Sequence, residues 1–262
     1  MQSVNEKVDA MTDEEIRSKF IIPDAKPESA EAESQEDDID LIKANNGVKQ
    51  GSNESFEELL AYIKPGMSEK QVQAKLVQLL LENGSDLEKF HICCVSGVNS
   101  SLVHGRATDK KIEKGENIML EFGAVYNGYR SDMARTVVLG KASDDFRKAY
   151  RVVQDACVIG QLYIRKGVSG RDADTEIRHF IEENGYRNYF RHSLGHGIGI
   201  SLFEGPYLSQ DSKDILTPGH VVTMEPGIYI PGKFGIRIED LLYISDKGTE
   251  NLTRTTRELI EL

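Results

Sequence analysis

The sequence predicts an α+β fold made of two similar αβ halves, and three observations carry that expectation. Helical periodicity alternates with short apolar, strand-like segments over most of the chain. Two stretches of the chain repeat each other in order. Acidic residues fall at matched places in the two repeats. The repeat is visible as Ile63-Lys-Pro-Gly-Met-Ser68, leading to Asn83-Gly84, against Ile164-Arg-Lys-Gly-Val-Ser169, leading to Asn184-Gly185. Each signature leads a helix, and both span the same number of residues. Further on, Gly115 precedes Glu121 by six residues, as Gly219 precedes Glu225.

The elements follow in order. Residues 1–40 contain PDAKPESAEAESQEDDID, rich in Glu, Asp, Ser and Pro. Such a segment buries too little apolar surface to offset its ordering entropy, so it is expected to be a flexible arm or a domain remnant. Residues 41–262 are expected to form one domain. Helical patterning runs from near Asp37 to Ile63, with Phe56, Leu59, Leu60 and Ile63 at i, i+3, i+4, i+7. Pro65 and Gly66 end it. Ser68 and Gln71 form a capping box for a second helix that stops at Gly84. Strands are expected at 91–95, 117–126 and 132–139, with Asn127-Gly128 as a hairpin turn. Helices at about 144–165 and 171–184 follow, then strands at 220–230 and 236–245.

Composition excludes several classes. The 262 residues carry a net charge of −11, with no basic patch to engage a phosphate backbone. No apolar run approaches the ~20 residues of a membrane helix. The N-terminus is too acidic for a signal peptide. Three cysteines, Cys93, Cys94 and Cys157, make no disulfide framework and suit a reducing, cytoplasmic setting. Cys93 and Cys94, in the run HICCV, read as small buried hydrophobes.

The repeat pairs the acids. Glu121 and Glu225 occupy equivalent strands, and each half has a second acid, Asp132 or Glu239. Were the halves packed about a pseudo-two-fold, four carboxylates would converge in apolar surroundings. Carboxylates that close cannot all remain ionised without a cation. A lone acid in a strand usually faces water; four at matched apolar positions point to metal. An imidazole is expected from FRHSLGHGIG, holding His192 and His196. Their four-residue spacing is that of a helical zinc motif, but the Glu of that motif is missing and the glycines disfavour a helix. A tight strand-loop is expected, with Gly195, Gly197 and Gly199 letting the backbone approach a ligand.

Glu121, Asp132, His196, Glu225 and Glu239 resemble the five-ligand pattern of the pita-bread metallopeptidases. The segments SSLVHG, FGAVYNGYRSDMART, HSLGHGIG, EGPYLS, TMEPGIYIPG and GIRIED are similar to the prolidase and Xaa-Pro aminopeptidase branch. The ligand spacings of 11, 64, 29 and 14 residues agree with it. The resemblance covers about residues 40–262. It implies repeated halves around a curved antiparallel sheet and two divalent ions (Mn, Co, Zn or Fe). Asp132 and Glu239 would bridge the ions, Glu121 would complete one, and His196 and Glu225 the other. The ions would lower the pKa of a shared water, and Glu225 would be its general base. His104 and His192 would steady the reacting centre. Arg237 matches a substrate position. The implied partners are a short peptide, cleaved after its N-terminal residue, and a second copy in a homodimer.

Three positions depart from the family. Glu121 replaces an Asp, and its extra methylene moves the carboxylate by about 1.5 Å. Phe203 replaces a substrate-contacting His, the loss of which can cost roughly 10²–10³ in rate. Tyr207 stands where prolidases often carry an Arg that holds a dipeptide carboxylate. Two other readings stay open: a degenerate module that binds peptide or protein without catalysis, and a creatinase-like amidohydrolase. Retention of all five ligand positions favours the peptidase.

Overall fold

The structure is a computed structural model that describes residues 51–86 and 92–262. The expected arm at 1–40 and the start of the first helix lie outside them. Helix α1 occupies 51–62 and α2 Glu69–Glu82. Strands β1 (Ile92–Ser96), β2 (Asn117–Phe122), β3 (Val125–Tyr126), β4 (Tyr129–Arg130) and β5 (Met133–Val138) complete the first half. The second half holds α3 (Asp144–Tyr163), α4 (Gly170–Ile181), β6 (Gly195–Gly197), β7 (Glu204–Leu208) and β8 (Val221–Met224). It closes with β9 (Gly227–Ile230), β10 (Phe234–Arg237), β11 (Asp240–Ser245) and β12 (Gly248–Asn251).

Helix α2 begins where the capping box places it. Ser68 Oγ accepts from Gln71 N–H, and the Gln71 side chain accepts from Ser68 N–H. Its stripe of Val72, Leu76, Leu79 and Leu80 is buried, each side chain stabilising by roughly 1.5–3 kcal/mol. It packs with Phe56 and Leu59 of α1 onto Ile118, Leu120 and Phe122 of β2. In the second half, α3 and α4 bury Val153, Ala156, Cys157 and Ile177 against Val222, Met224, Ile236 and Ile238. Each half thus lays helices on one face of its strands. All three cysteines are free and buried, as expected.

The repeat is written in the backbone hydrogen bonds. Gly66 N–H donates to Ile112 O, and Gly167 N–H to Leu216 O. Gly115 N–H donates to Leu139 O, and Gly219 N–H to Ile244 O. The cap residues Ser68 and Ser169 form equivalent bridges, to Lys111 and Ile215.

β1, β2 and β5 form one antiparallel sheet, and β12-β11-β8-β6-β7 form another. The seam between them is an antiparallel bridge from Ala134 to Glu239, where Glu239 N–H donates to Ala134 O at 3.0 Å. Beside it, Arg237 N–H donates to Thr136 Oγ1, whose hydroxyl donates to Arg237 O. A buried ion network braces the seam from behind. Arg135 pairs with Asp240 at 2.6 Å and donates to Glu239 O, and Arg257 holds the second Asp240 oxygen.

Three expected long strands are each interrupted. The segment 117–126 breaks after Phe122, where Ser131 Oγ takes the Ala124 N–H. The Asn127-Gly128 turn joins only the short pair β3–β4, both residues having positive φ, while β2 pairs with β5. The segment 220–230 breaks at Glu225-Pro226, since proline has no N–H for the ladder. β9 then leaves to pair with β10. The segment 236–245 breaks at Ile238-Glu239. Glu225 and Glu239 therefore sit at strand ends rather than within strands.

Candidate metal centre

The seam gathers the acids. Asp132 directly precedes β5 and Glu239 directly precedes β11, so both lie where the two sheets meet. Glu225 directly follows β8, and Glu121 lies within β2, opposite Ala134. His196 is the middle residue of β6, which pairs with β7 and β8. Gly195 lines the same cavity, and the glycines around His196 also allow close packing between strands. A Cβ on Gly195 would stand 2.0 Å from Thr223 O, and one on Gly197 would stand 2.3 Å from Gly205 O. They allow β6 to press against its neighbours and so hold the imidazole at the seam.

Ligand atoms of Asp132, His196 and Glu239 all lie within 4.8 Å of one another, and all three residues are buried. Glu225 Oε1 is 3.6 Å from His196 Nε2. Thr223 Oγ1 steers the pair, donating to Glu225 Oε1 and accepting from His196 N–H. Glu121 contacts the Arg237 guanidinium. A cavity of about 260 Å³ brings together Glu121, Asp132, His196, Glu225, His104, His192, Arg237, Phe203 and Tyr207. Every residue that the sequence marks out for the site is thus in this cavity, apart from Glu239, which joins through the Asp132–His196 cluster.

Electrostatics match a cation. Burial pushes the Asp132, Glu225 and Glu239 carboxyls well above their usual range. Neighbouring carboxylates push further: Glu225 on Asp132, Glu239 on Glu225, and Asp132 on Glu239. Glu239 Oε2 is buried without a hydrogen-bond partner among the described residues. Clustered oxygens with one imidazole, one of the oxygens unanswered, form a donor set that fits a divalent metal ion.

Sequence reading missed Tyr229, which orders the other wall. Arg237 Nε donates to Tyr229 Oη at 2.7 Å, and the Tyr229 hydroxyl donates to His192 Nε2 at 2.8 Å. His192 Nδ1–H then donates to Ser193 O at 2.8 Å, which fixes the tautomer. Glu225 Oε2, at 3.7 Å from Nδ1, is beyond hydrogen-bond reach. Burial lowers the His192 pKa to about 4, against the opposing pull of the Ser193 carbonyl, so the ring is neutral. The signal was present: a Tyr in the apolar run GIYI needs a partner for its hydroxyl when buried.

The Metallopeptidase family M24 model matches residues 48–246. The chain belongs to this metallopeptidase family. It is 43% identical over 228 residues to the uncharacterized peptidase YqhT of Bacillus subtilis, covering 85% of this chain and 65% of that one. It is 41% identical over 198 residues to the Xaa-Pro dipeptidase of Pyrococcus furiosus, covering 76% and 57%. A Bacillus anthracis Xaa-Pro dipeptidase structure superposes with a TM-score of 0.83 at 42% identity, covering 85% of this chain and 63% of that one. The chain thus spans less than two thirds of the length of each of these three relatives. These likenesses bear out the expected pita-bread fold.

Proposed function

We propose that this chain is a metal-dependent peptidase that removes the N-terminal residue from peptides with proline in second place. The observation that carries the reading is the buried Asp132–His196–Glu239 cluster opening with Glu225 into one cavity. The likeness to Xaa-Pro dipeptidases of Pyrococcus furiosus and Bacillus anthracis supports it over a binding module or a creatinase-like enzyme.

In this reading, Asp132, His196, Glu239, Glu225 and Glu121 would hold two divalent ions, of Mn, Co, Zn or Fe type. When bound, such ions polarise the scissile carbonyl and make water easier to deprotonate. The chain supplies the rest. Glu225, at the edge of the cluster and facing the cavity, takes a proton from the attacking water and passes it to the departing proline nitrogen. His192, kept neutral by burial and positioned by the Arg237–Tyr229 relay, orients the reacting group, with His104 also lining the cavity. The carboxylates also suit the substrate's α-ammonium group. Residues 41–262 act as the catalytic domain. The three buried free cysteines suit the cytoplasm, and a homodimer belongs to the same reading. No helix among the described residues is long and apolar enough to cross a membrane.

The test is hydrolysis of Ala-Pro-Ala by dialysed protein with and without added Mn. Metal-dependent cleavage is expected, and Glu225→Gln should lower kcat by roughly 10²–10⁴. A protein that neither cleaves nor gains melting temperature with any of the four ions is a binding module instead.

A further inference from the structure

In the proposed reaction His192 orients the reacting group, yet it stands on a segment that no ladder holds. Residues 189–194, between α4 and β6, belong to no helix or strand. Backbone groups in such a stretch need other partners where the chain covers them. Helix α4 supplies them through one ion pair. Arg178 Nε donates to Asp174 Oδ1 and Nη2 to Asp174 Oδ2, each at 2.8 Å. The same guanidinium reaches across to the segment. Nη1 donates to Phe190 O and Nη2 to His192 O, again at 2.8 Å. Asp174 Oδ2 also accepts from Leu194 N–H at 2.9 Å. Alternate residues of the segment, Phe190, His192 and Leu194, are thus tied to one pair.

An Asp and an Arg four apart on a helix usually form a solvated pair of little consequence. This one differs in burial, the side chains of Asp174 and Arg178 being 0% and 16% exposed. A planar fork that answers a carboxylate and two carbonyls together fixes direction as well as distance, which the point charge of a lysine does not. Ring contacts continue the chain of support. The Arg178 guanidinium carbon lies 4.3 Å from the centre of the Phe190 ring, and Phe190 meets His192 edge-on at 4.9 Å between centroids. Leu194 O accepts from Glu225 N–H at 2.8 Å, so the same clamp reaches the backbone of the proposed base. The first half has a counterpart in Glu69 of α2, which accepts from Ser96 N–H and Thr108 N–H on either side of His104.

We propose that Arg178, locked by Asp174, is a positioning residue of the peptidase site, setting the carbonyl and ring of His192 against the cavity. Neither Arg178 nor Asp174 lines that cavity, so both act through the segment they hold. The inference rests on the peptidase reading.

The experiment measures kcat and KM for Ala-Pro-Ala with the Mn-loaded full chain. Arg178→Met should lower kcat by about tenfold to a hundredfold, while KM moves by less than about threefold. Arg178→Lys, which keeps the charge and loses the fork, should recover part of the loss. In a His192→Ala background, Arg178→Met should cost less than about twofold more, because the group it positions is already gone. Imidazole NMR of the metal-free chain gives a readout without turnover. The ring signal that His192→Ala removes should shift in Arg178→Met, while that of the distant His220 stays. Should Arg178→Met fail to fold, Asp174→Asn/Arg178→Met removes both charges, keeps a carbonyl for Leu194 N–H and decides in its place. A kcat within about twofold of the parent, or the same loss with and without His192, overturns the inference and leaves the peptidase reading standing. A parent chain that cleaves nothing overturns both.

Discussion

A guanidinium taken out of water costs several kcal/mol unless its donors are answered and its charge is paired. Arg237 meets that condition through Glu121, Tyr229 and Val103, and burial still drags its pKa below the ordinary value. Glu121 is therefore held by two demands, the guanidinium on one side and the cavity on the other. Removing its charge should expose the strength of the first. Glu121→Gln is expected to destabilise the metal-free fold by about 3–5 kcal/mol, read by urea denaturation. Glu121→Asp keeps the charge, withdraws it by about 1.5 Å, and should cost clearly less. Equal stability of Glu121→Gln and the parent would show that the pair contributes nothing. At this scale the sequence was informative about residue type and silent about allegiance. The spacing of the five candidate ligands was legible, but the commitment of Glu121 to Arg237 depends on a contact across the seam.

Elements bring these residues together, and one loop depends on a single buried carboxylate. Glu69, in the first turn of α2, is fully buried. It accepts from Ser96 N–H at 2.7 Å, Ser96 Oγ at 3.0 Å, Asn99 Nδ2 at 3.1 Å, Thr108 N–H at 2.9 Å and Thr108 Oγ1 at 2.7 Å. Both feet of the 96–108 loop are thereby fixed, and that loop carries His104 into the cavity and Val103 O to Arg237. Glu69→Ala leaves the Ser96 N–H and hydroxyl buried and unanswered and releases the half-buried Asn99 and exposed Thr108 from their anchor. It should cost about 3 kcal/mol or more in stability and lower kcat through a displaced His104. Unchanged kcat at full folding would separate the loop from the chemistry. The helices were legible because periodicity and caps are local: the Ser68–Gln71 box and the buried stripe of α2 stand as read. The long apolar strands were legible in position but too long in extent, and the short strands β7 and β12 were not read from the sequence. Pro226 breaks one visibly, whereas the break at Gly123 comes from Ser131 just beyond the turn and the break at Ile238 from the distant Ala134.

The whole molecule is a repeated scaffold that concentrates negative charge at its own seam. That arrangement makes folding stability depend on pH and on metal. The folded-state pKa values of Asp132, Glu225 and Glu239 are raised by burial and by one another. Their contribution is thus full below the unfolded value of about 4 and is lost as pH rises through the raised values. Asp240 acts in the opposite sense, because Arg135 and Arg257 hold its pKa down against the cost of burial. Its contribution is present above about pH 4 and is lost as pH falls through the lowered value. Metal-free protein should therefore melt at a lower temperature at pH 8 than at pH 5. Added Mn should raise the melting temperature more at pH 8, since ligation requires the carboxylates ionised. A Mn shift independent of pH would mean that the cluster does not titrate with the fold. The duplication itself was readable from the paired helix signatures and from the six-residue spacing of Gly115–Glu121 and Gly219–Glu225. The seam geometry was not, because it arises from pairing between residues about a hundred positions apart, such as Ala134 and Glu239.

Isothermal titration of the dialysed chain with Mn at pH 7.5 bears most directly on the claim that this charge is gathered to hold cations. About two equivalents per chain are expected, with proton release detected by changing the buffer, and Asp132→Asn should remove most of the heat. Absence of binding heat in the parent, or titration unaffected by Asp132→Asn, would contradict the claim.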